Sequence, residues 1–325
     1  MNRVTEILKI KYPVIQGPMS WITSAEMVAA ISNAGGLGTL GPNAGYNTVT
    51  PDPLETAMRL REQIKKTREL TDKPFAVNYL LSSTETKKDP YSEEILKVLI
   101  EEKVKNLVVV DFKEINFFEI NRLKELGFTI IFRGQTPTVE QAKDAESAGV
   151  DIIVATGYDE GGTLPTDQVG TMAIAKILVE AVNIPVVSAG GIVDRHTANA
   201  AMAVGAEGVF VGTRFIVSQE CPASERTKQD IIAAKVDDLI LVPTDISYWR
   251  VTPHRLAKQL NAELNSGEDR DELIKKMKMG GGIKSGMLEG DLENGTVVVS
   301  NAINSITSIM TCDEIVHDLM TDFKN

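Results

Sequence analysis

The sequence predicts an α/β protein and, within that class, a TIM (β/α)8 barrel. Three observations carry this. Eight short apolar or β-branched runs alternate with helical segments. Aromatic residues make up only 5% of the chain while glycine occurs 25 times, which suits helices packed closely on a parallel sheet better than a β-sandwich. Glycine-bearing turns also follow the seventh and eighth runs, where barrels commonly hold phosphate. A doubly wound sheet is the rival architecture, because strand counting on one sequence errs by an element or two.

The runs, in order, are PVIQG (13–17), GLGTLG (36–41), PFAVNYLL (74–81), NLVVVDF (106–112), FTIIFRG (128–134), VDIIVATG (150–157), IPVVSAGG (184–191) and EGVFVGT (207–213). Between them, Ser24 to Asn33 opens on a serine N-cap, Pro53 to Glu69 is long and charged, and Glu140 to Ser147 and His196 to Val204 are alanine-rich. After Thr213 the pattern changes. Glu220 to Leu239 and Pro253 to Met279 read as charged amphipathic helices, followed by GGGIKSG (280–286) and LENGT (292–296). The expected organisation is a barrel over 1–218, an inserted, smaller substrate-side domain over 219–298, and helices over 299–325 that return to the barrel.

A chain of 325 residues with 43% hydrophobic content can build a sizeable core. The net charge of -11 argues against a general nucleic-acid or membrane-surface binder, since a phosphate surface repels the average field of such a protein. Cys221 and Cys312 have no Cys or His spaced around them as metal ligands, so neither a metal site nor a disulfide framework is expected. The N-terminus has no long apolar segment and no run approaches a membrane span, which makes the cytoplasm the expected location.

In a barrel, binding and catalytic groups collect on the loops leaving the C-terminal strand ends. The first loop, QGPMSW, interrupts the strand at Gly17 and Pro18, so that backbone near Met19 can approach a flat ligand; the plain alternative is an ordinary strand-to-helix turn. Asn78 leaves an apolar strand as a lone amide, fit for a ligand or for capping its loop. Arg133 and Gln135 set a permanent cation and an amide at the mouth, or form a salt bridge at the rim. SAGGIVD and VGTRF place Ala189, Gly190, Gly191, Gly212 and Thr213 where bare N–H groups cradle a phosphate.

The stretch ATGYDEGGTLPTDQ (155–168) follows the sixth run and holds three acids but no His, Cys or Lys. His196, His254 and His317 are scattered and assemble no catalytic set. Asp159, Glu160 and Asp167 lack metal-ligand spacing, and no nucleophile has a partnering base. A ligand that brings its own reactivity is therefore the attractive reading.

Four blocks, YPVIQGPMSWITSAEMVAAISNAGGLGTLG, PFAVN, SAGGIVDRHTANAAMAVGAEGVFVGTRF and EGDLENG, resemble the nitronate monooxygenase family, formerly 2-nitropropane dioxygenases. That family includes FMN-dependent enoyl-ACP reductases and NAD(P)H:quinone reductases. The resemblance spans nearly the whole chain and implies a TIM barrel plus a smaller α/β domain, with FMN across the barrel mouth. It places Gly17, Pro18 and Met19 along the isoalloxazine, Asn78 and Arg133 at its polar edge or ribityl chain, and Gly190, Gly191, Gly212 and Thr213 at its phosphate. Family members commonly carry Gly-Gly-His in the sixth loop, whereas this chain has Gly161, Gly162 and Thr163. Threonine is no base near neutral pH, so Asp159 and Glu160 are the candidate substitutes. Asp111 and Phe112 stand where relatives usually have a small, glycine-containing turn.

The resemblance implies an FMN-dependent oxidoreductase that denitrifies alkyl nitronates with dioxygen. The alternatives are an enoyl-ACP reductase or a quinone reductase, each drawing hydride from NADH or NADPH. The former needs an acyl carrier protein and a basic docking patch, for which Lys275, Lys276 and Lys278 are the candidates. A non-redox barrel enzyme acting on a phosphorylated metabolite, and a flavin-binding protein with lost catalysis, remain further classes. The expected partner is a small-molecule substrate, and a homodimer is compatible with the sequence.

Overall fold

A computed structural model describes residues 2–111 and 115–324, so Phe112 lies outside the described residues. Its centre is a parallel barrel of eight strands: β1 (Val14–Gln16), β2 (Gly38–Leu40), β3 (Phe75–Leu80), β4 (Asn106–Asp111), β5 (Thr129–Gly134), β6 (Ile152–Thr156), β7 (Val186–Ala189) and β8 (Gly208–Val211). Each strand pairs with its sequence neighbours, and β1 pairs with β8. The ring closes between β1 and β2 through the Ile15–Leu37 bridge, where Gln16 N donates to Leu37 O at 2.9 Å and Leu37 N to Val14 O at 2.8 Å. Closure excludes the doubly wound alternative, which leaves two open edges.

The strands read as near-continuous apolar runs because both faces are covered. Inward residues Ile15, Leu37, Ala76, Val108, Ile131, Ile152, Val154 and Val187 fill the barrel. Val4 and Leu8 of a short N-terminal helix, Arg3–Leu8, belong to the same core, so that helix closes the bottom and leaves the C-terminal mouth as the open end. Outward residues such as Val77, Leu107, Ile130 and Ile153 meet the surrounding helices in a second layer.

Local chemistry sets the helix starts. Ser24 accepts from Met27 N ahead of the helix Ala25–Asn33, and Asp52 caps Pro53–Leu70 with proline in its first turn. Asp194 and Thr197 form a reciprocal capping box at Arg195–Ala203.

Beyond β8 the structure departs from the helical reading in three places. Only Glu225–Ala233 of the Glu220 to Leu239 segment is α-helical. Pro253 to Met279 is broken into Arg255–Asn265 and Arg270–Met279, with Gly267 between them at φ +88°. Between these parts lies an antiparallel hairpin, β9 (Ile240–Pro243) and β10 (Tyr248–Val251), turned by Thr244, whose hydroxyl accepts from Ser247 N at 3.0 Å. The last segment carries one α-helix, Cys312–Leu319, opened by a Thr311–Glu314 capping box and packed against the barrel helices Ala25–Asn33 and Arg195–Ala203.

Candidate active site at the barrel mouth

A cavity of about 370 Å³ opens at the C-terminal mouth, between the strand ends and the β9–β10 unit. It is lined by the residues anticipated above for the cofactor, Gly17, Pro18, Met19, Asn78, Arg133, Ala189, Gly190, Gly191, Gly212 and Thr213, and by Gly162 of the sixth loop. Glu160 and Thr163 line it as well. The rest of the wall is largely apolar, and the segment beyond β8 contributes Trp249, Ile283, Met287 and Val298 to it.

The β7 and β8 ends form a shallow cradle. Gly190 and Gly191 have φ of +113° and +64°, conformations that L side chains rarely adopt. A Cβ on Gly212 would meet no atom within 4 Å, so that backbone faces open space. The N–H groups of Gly191 and Gly212 find no acceptor among the described residues. Beside them, Thr213 Oγ1 accepts from Ser300 N at 3.1 Å, and the Ser300 hydroxyl, which borders the cavity, is buried without a partner. Free amides, hydroxyls and a face without side chains fit a phosphate.

The β6 loop supplies the opposite wall and is tied to the hairpin rather than to the barrel alone. Trp249 Nε1 donates to Thr163 Oγ1 at 3.0 Å, Leu164 N donates to Tyr248 O at 2.9 Å, and Thr163 bridges Trp249 as a short antiparallel pair. Arg250 is buried and donates to Glu160 O at 2.7 Å and Tyr158 O at 3.0 Å, with its guanidinium 5.3 Å from the Tyr158 ring centre. Desolvation lowers the pKa of this arginine, and the nearby Tyr158, Asp159 and Glu160 oppose that shift.

Two adjacent acids thereby receive different fates. Asp159, anticipated beside the substrate, does not line the cavity. Its Oδ2 accepts from Thr171 N at 2.8 Å, capping the helix Thr171–Ala181, whose own N-cap position is a glycine; its Oδ1 accepts from Asn301 at 3.2 Å. Burial opposes its ionisation, but these hydrogen bonds outweigh it and hold Asp159 below the usual carboxylate range.

Glu160 is buried in the cavity wall with Oε2 2.6 Å from Arg133 Nη2, and its Oε1 has no partner. Burial pushes its pKa up, and the Arg133 cation opposes that. Arg133 is thus half of a buried ion pair as well as a wall residue. Gln135 donates to the Thr163 carbonyl, and Asn78 Nδ2 donates to Val108 O at 3.0 Å.

None of the three histidines reaches the cavity. His254 pairs with Asp230 at 2.8 Å, His317 packs edge-on against Tyr12, and His196 lies on the helix Arg195–Ala203. Sequence reasoning missed Trp249 and Arg250, although the β-prone YWRV after a Pro243-Thr244-Asp245 turn signal marks a strand.

A closed (β/α)8 barrel whose C-terminal mouth holds a glycine-floored cavity belongs to the barrel enzymes, and comparison with known proteins narrows that class to the oxidoreductases. A family model described as nitronate monooxygenase matches residues 1–322, and the chain belongs to that family. A probable nitronate monooxygenase of Staphylococcus saprophyticus is 36% identical over 277 residues, covering 74% of this chain and 75% of that one. One from Staphylococcus haemolyticus is 33% identical over 286 residues, covering 75% of each. Among solved structures, FabK from Thermotoga maritima superposes with a TM-score of 0.85 at 31% identity, covering 99% of this chain and 96% of the other. Nitroalkane oxidase from Streptomyces ansochromogenes shares the fold, with a TM-score of 0.77 at 21% identity over 98% and 97% of the two chains.

Proposed function

We propose that this protein is an FMN-dependent oxidoreductase that converts alkyl nitronates and dioxygen into carbonyl compounds and nitrite. The observation that carries the reading is the two-part cavity, with a glycine cradle on one side and a largely apolar wall beside the Thr163 hydroxyl on the other. When bound, FMN supplies the electron acceptor, which this chain's own side chains do not offer.

In this reading the amides of Gly191 and Gly212 and the hydroxyls of Thr213 and Ser300 hold the phosphate. The backbone of Gly17, Pro18 and Met19 lets a planar ring approach, and Asn78, whose amide nitrogen is committed to Val108 O, keeps its oxygen for a ligand donor. Thr163 accepts from Trp249, so its own O–H remains to donate to a nitronate oxygen. Trp249, Ile283, Met287 and Val298 receive the alkyl part and keep water out. A nitronate arrives already ionised, so its oxidation survives the replacement of an imidazole by Thr163.

The carrier-protein alternative is weakened by the basic candidates themselves. Lys275 pairs with Glu272, Lys276 with Glu263 and Lys278 with Asp245, at 2.6, 2.8 and 2.9 Å, so this stretch offers no unpaired cationic patch.

The test is a visible absorption spectrum of the purified protein reconstituted with FMN, followed by anaerobic addition of ethylnitronate and then of oxygen. Bleaching by the nitronate with nitrite release on oxygenation supports the reading. A protein that retains no FMN overturns it, as does bound FMN that no nitronate reduces.

A further inference from the structure

We propose that Trp249 is the specificity-determining residue of the alkyl subsite, a fixed bar across the cavity that limits the substrate to short-chain nitronates. This rests on the nitronate reading of the same site and deepens it.

The indole is held at both ends. Nε1 donates to Thr163 Oγ1 at 3.0 Å in the β6 loop. At the opposite end of the ring system, Cζ3 lies 4.0 Å from where a Cβ on Gly282 would stand, in the glycine turn 280–282. Gly282 has φ +53°, and its carbonyl accepts from Thr296 N at 3.0 Å, so the backbone there is bare and fixed in place. The strand that carries the indole is constrained as well. β10 pairs with β9 on one side, and Val299 N donates to Arg250 O at 3.0 Å on the other. The Arg250 side chain grips the carbonyls of Tyr158 and Glu160. A side chain fixed in this way loses no rotamer freedom when a ligand arrives, and it presents a set boundary rather than an adaptable one.

The bar stands next to the head-group donor. Thr163 Oγ1 accepts from the indole, which leaves its O–H for a nitronate oxygen. The alkyl chain then runs beside the indole among Ile283, Met287 and Val298, which share this wall. A short chain gains these contacts, whereas a long one meets the span from Thr163 to Gly282. The cavity, about 370 Å³, lies near the lower end of the ordinary range for small-molecule sites, about 300–1,000 Å³, and in this reading it also receives the cofactor. In an unobstructed apolar subsite each added methylene raises affinity about 4-fold. Lengthening butylnitronate to hexylnitronate would then gain about 16-fold, so the absence of that gain is a measurable sign of obstruction.

The experiment measures kcat/KM for ethyl-, butyl- and hexylnitronate with FMN-loaded protein under air, by nitrite release. In parallel, calorimetry measures the affinity of pentanoate and heptanoate, whose planar carboxylate replaces the nitronate head. The wild type is expected to improve from ethyl to butyl and to give hexyl no advantage over butyl. Trp249→Ala should raise the hexyl-to-butyl ratio at least about 10-fold, most of the gain due to two methylenes. A general loosening of the wall would lower all three substrates together and leave that ratio unchanged. Thr163→Val keeps the indole but removes its acceptor, and should shift the ratio in the same direction. Thr163→Ser keeps the acceptor and should keep the wild-type ratio.

Wild-type protein that favours hexylnitronate over butylnitronate by more than about 4-fold, one methylene's worth, overturns this inference and leaves the proposed function standing. Trp249→Ala with the wild-type ratio overturns it too. If that variant does not fold, Trp249→Phe, which has a smaller ring and no N–H, decides in the same way. If no nitronate is oxidised, the proposed function fails and the carboxylates decide the role of Trp249. A wild-type preference for heptanoate over pentanoate above about 4-fold then removes it, and no preference in the wild type with a gain in Trp249→Ala supports it.

Discussion

Substituting alanine for Gly190 and for Gly212 separates what the fold needs from what the ligand needs. A Cβ on Gly190 would lie 2.6 Å from Thr171 Oγ1, 3.0 Å from Gly157 O and 3.1 Å from Glu160 N, on a backbone with φ +113°. Such a conformation costs a non-glycine residue on the order of 1–3 kcal/mol. The contacts with backbone atoms cannot be relieved by rotating a side chain, so a total of about 3 kcal/mol is expected. For a chain of this length, unfolding entropy scales to about 1.5 °C per kcal/mol, so Gly190→Ala should melt about 4–5 °C lower.

Gly212 has an ordinary φ of -114° and open space where its Cβ would stand. Gly212→Ala should leave stability within about 0.5 kcal/mol of the wild type, since no neighbour is disturbed. Its methyl group would occupy the proposed phosphate cradle, so FMN affinity should fall at least about 10-fold. Differential scanning calorimetry of the FMN-free proteins and FMN fluorescence titration read the two effects independently. A Gly190→Ala melt within 1 °C of wild type would refute the steric account of the β7 turn. Unchanged FMN affinity in Gly212→Ala would refute the phosphate placement.

Three further outcomes are expected. Arg250→Met removes the donors to Glu160 O and Tyr158 O and should cost about 3 kcal/mol, with earlier proteolytic cleavage in the β6 loop; wild-type resistance there would dismiss the clamp. Buried Glu119 accepts from the Tyr79 hydroxyl at 2.7 Å and from Ser83 N at 3.1 Å, and burial raises the Glu119 pKa against these bonds. A carboxyl with a raised folded pKa loses stability as pH climbs from its unfolded to its folded pKa. Tyr79→Phe raises that pKa further, so its penalty of about 1.5–3 kcal/mol should be larger at pH 8 than at pH 5 in urea melts, and equal penalties would contradict this. Burial pushes the Cys221 thiol up to about 11 and also raises that of Cys312. Native protein should therefore resist a disulfide thiol reagent at pH 8 and release two equivalents only in denaturant; fast labelling of the folded protein would show that these thiols are exposed.

The barrel was legible in the sequence because its signals are local. Each strand is a short β-branched run buried on both faces, and the turns of β7 and β8 announce themselves by paired or flanking glycines. The cradle residues share a barrel mouth as soon as the strands alternate with helices, since every strand then ends at the same face. The inserted helices were less legible. A charged stretch at helical period gives no sign of where Gly267 interrupts it or where Ala234 ends the helix, and the short hairpin between them has only four residues per strand.

What the sequence determined by itself is the family, the strand order and the chemistry absent from the β6 loop, because composition and local pattern suffice for these. The tertiary structure alone decided that Asp159 caps a helix while Glu160 borders the cavity. Neighbours in the chain part according to which long-range partner each meets. The wall partners themselves arrive from afar: Trp249 meets Thr163 across 86 residues, and Arg250 meets Glu160 across 90. No local propensity encodes contacts at that separation, which exist only once the closed barrel has brought the hairpin over its own mouth.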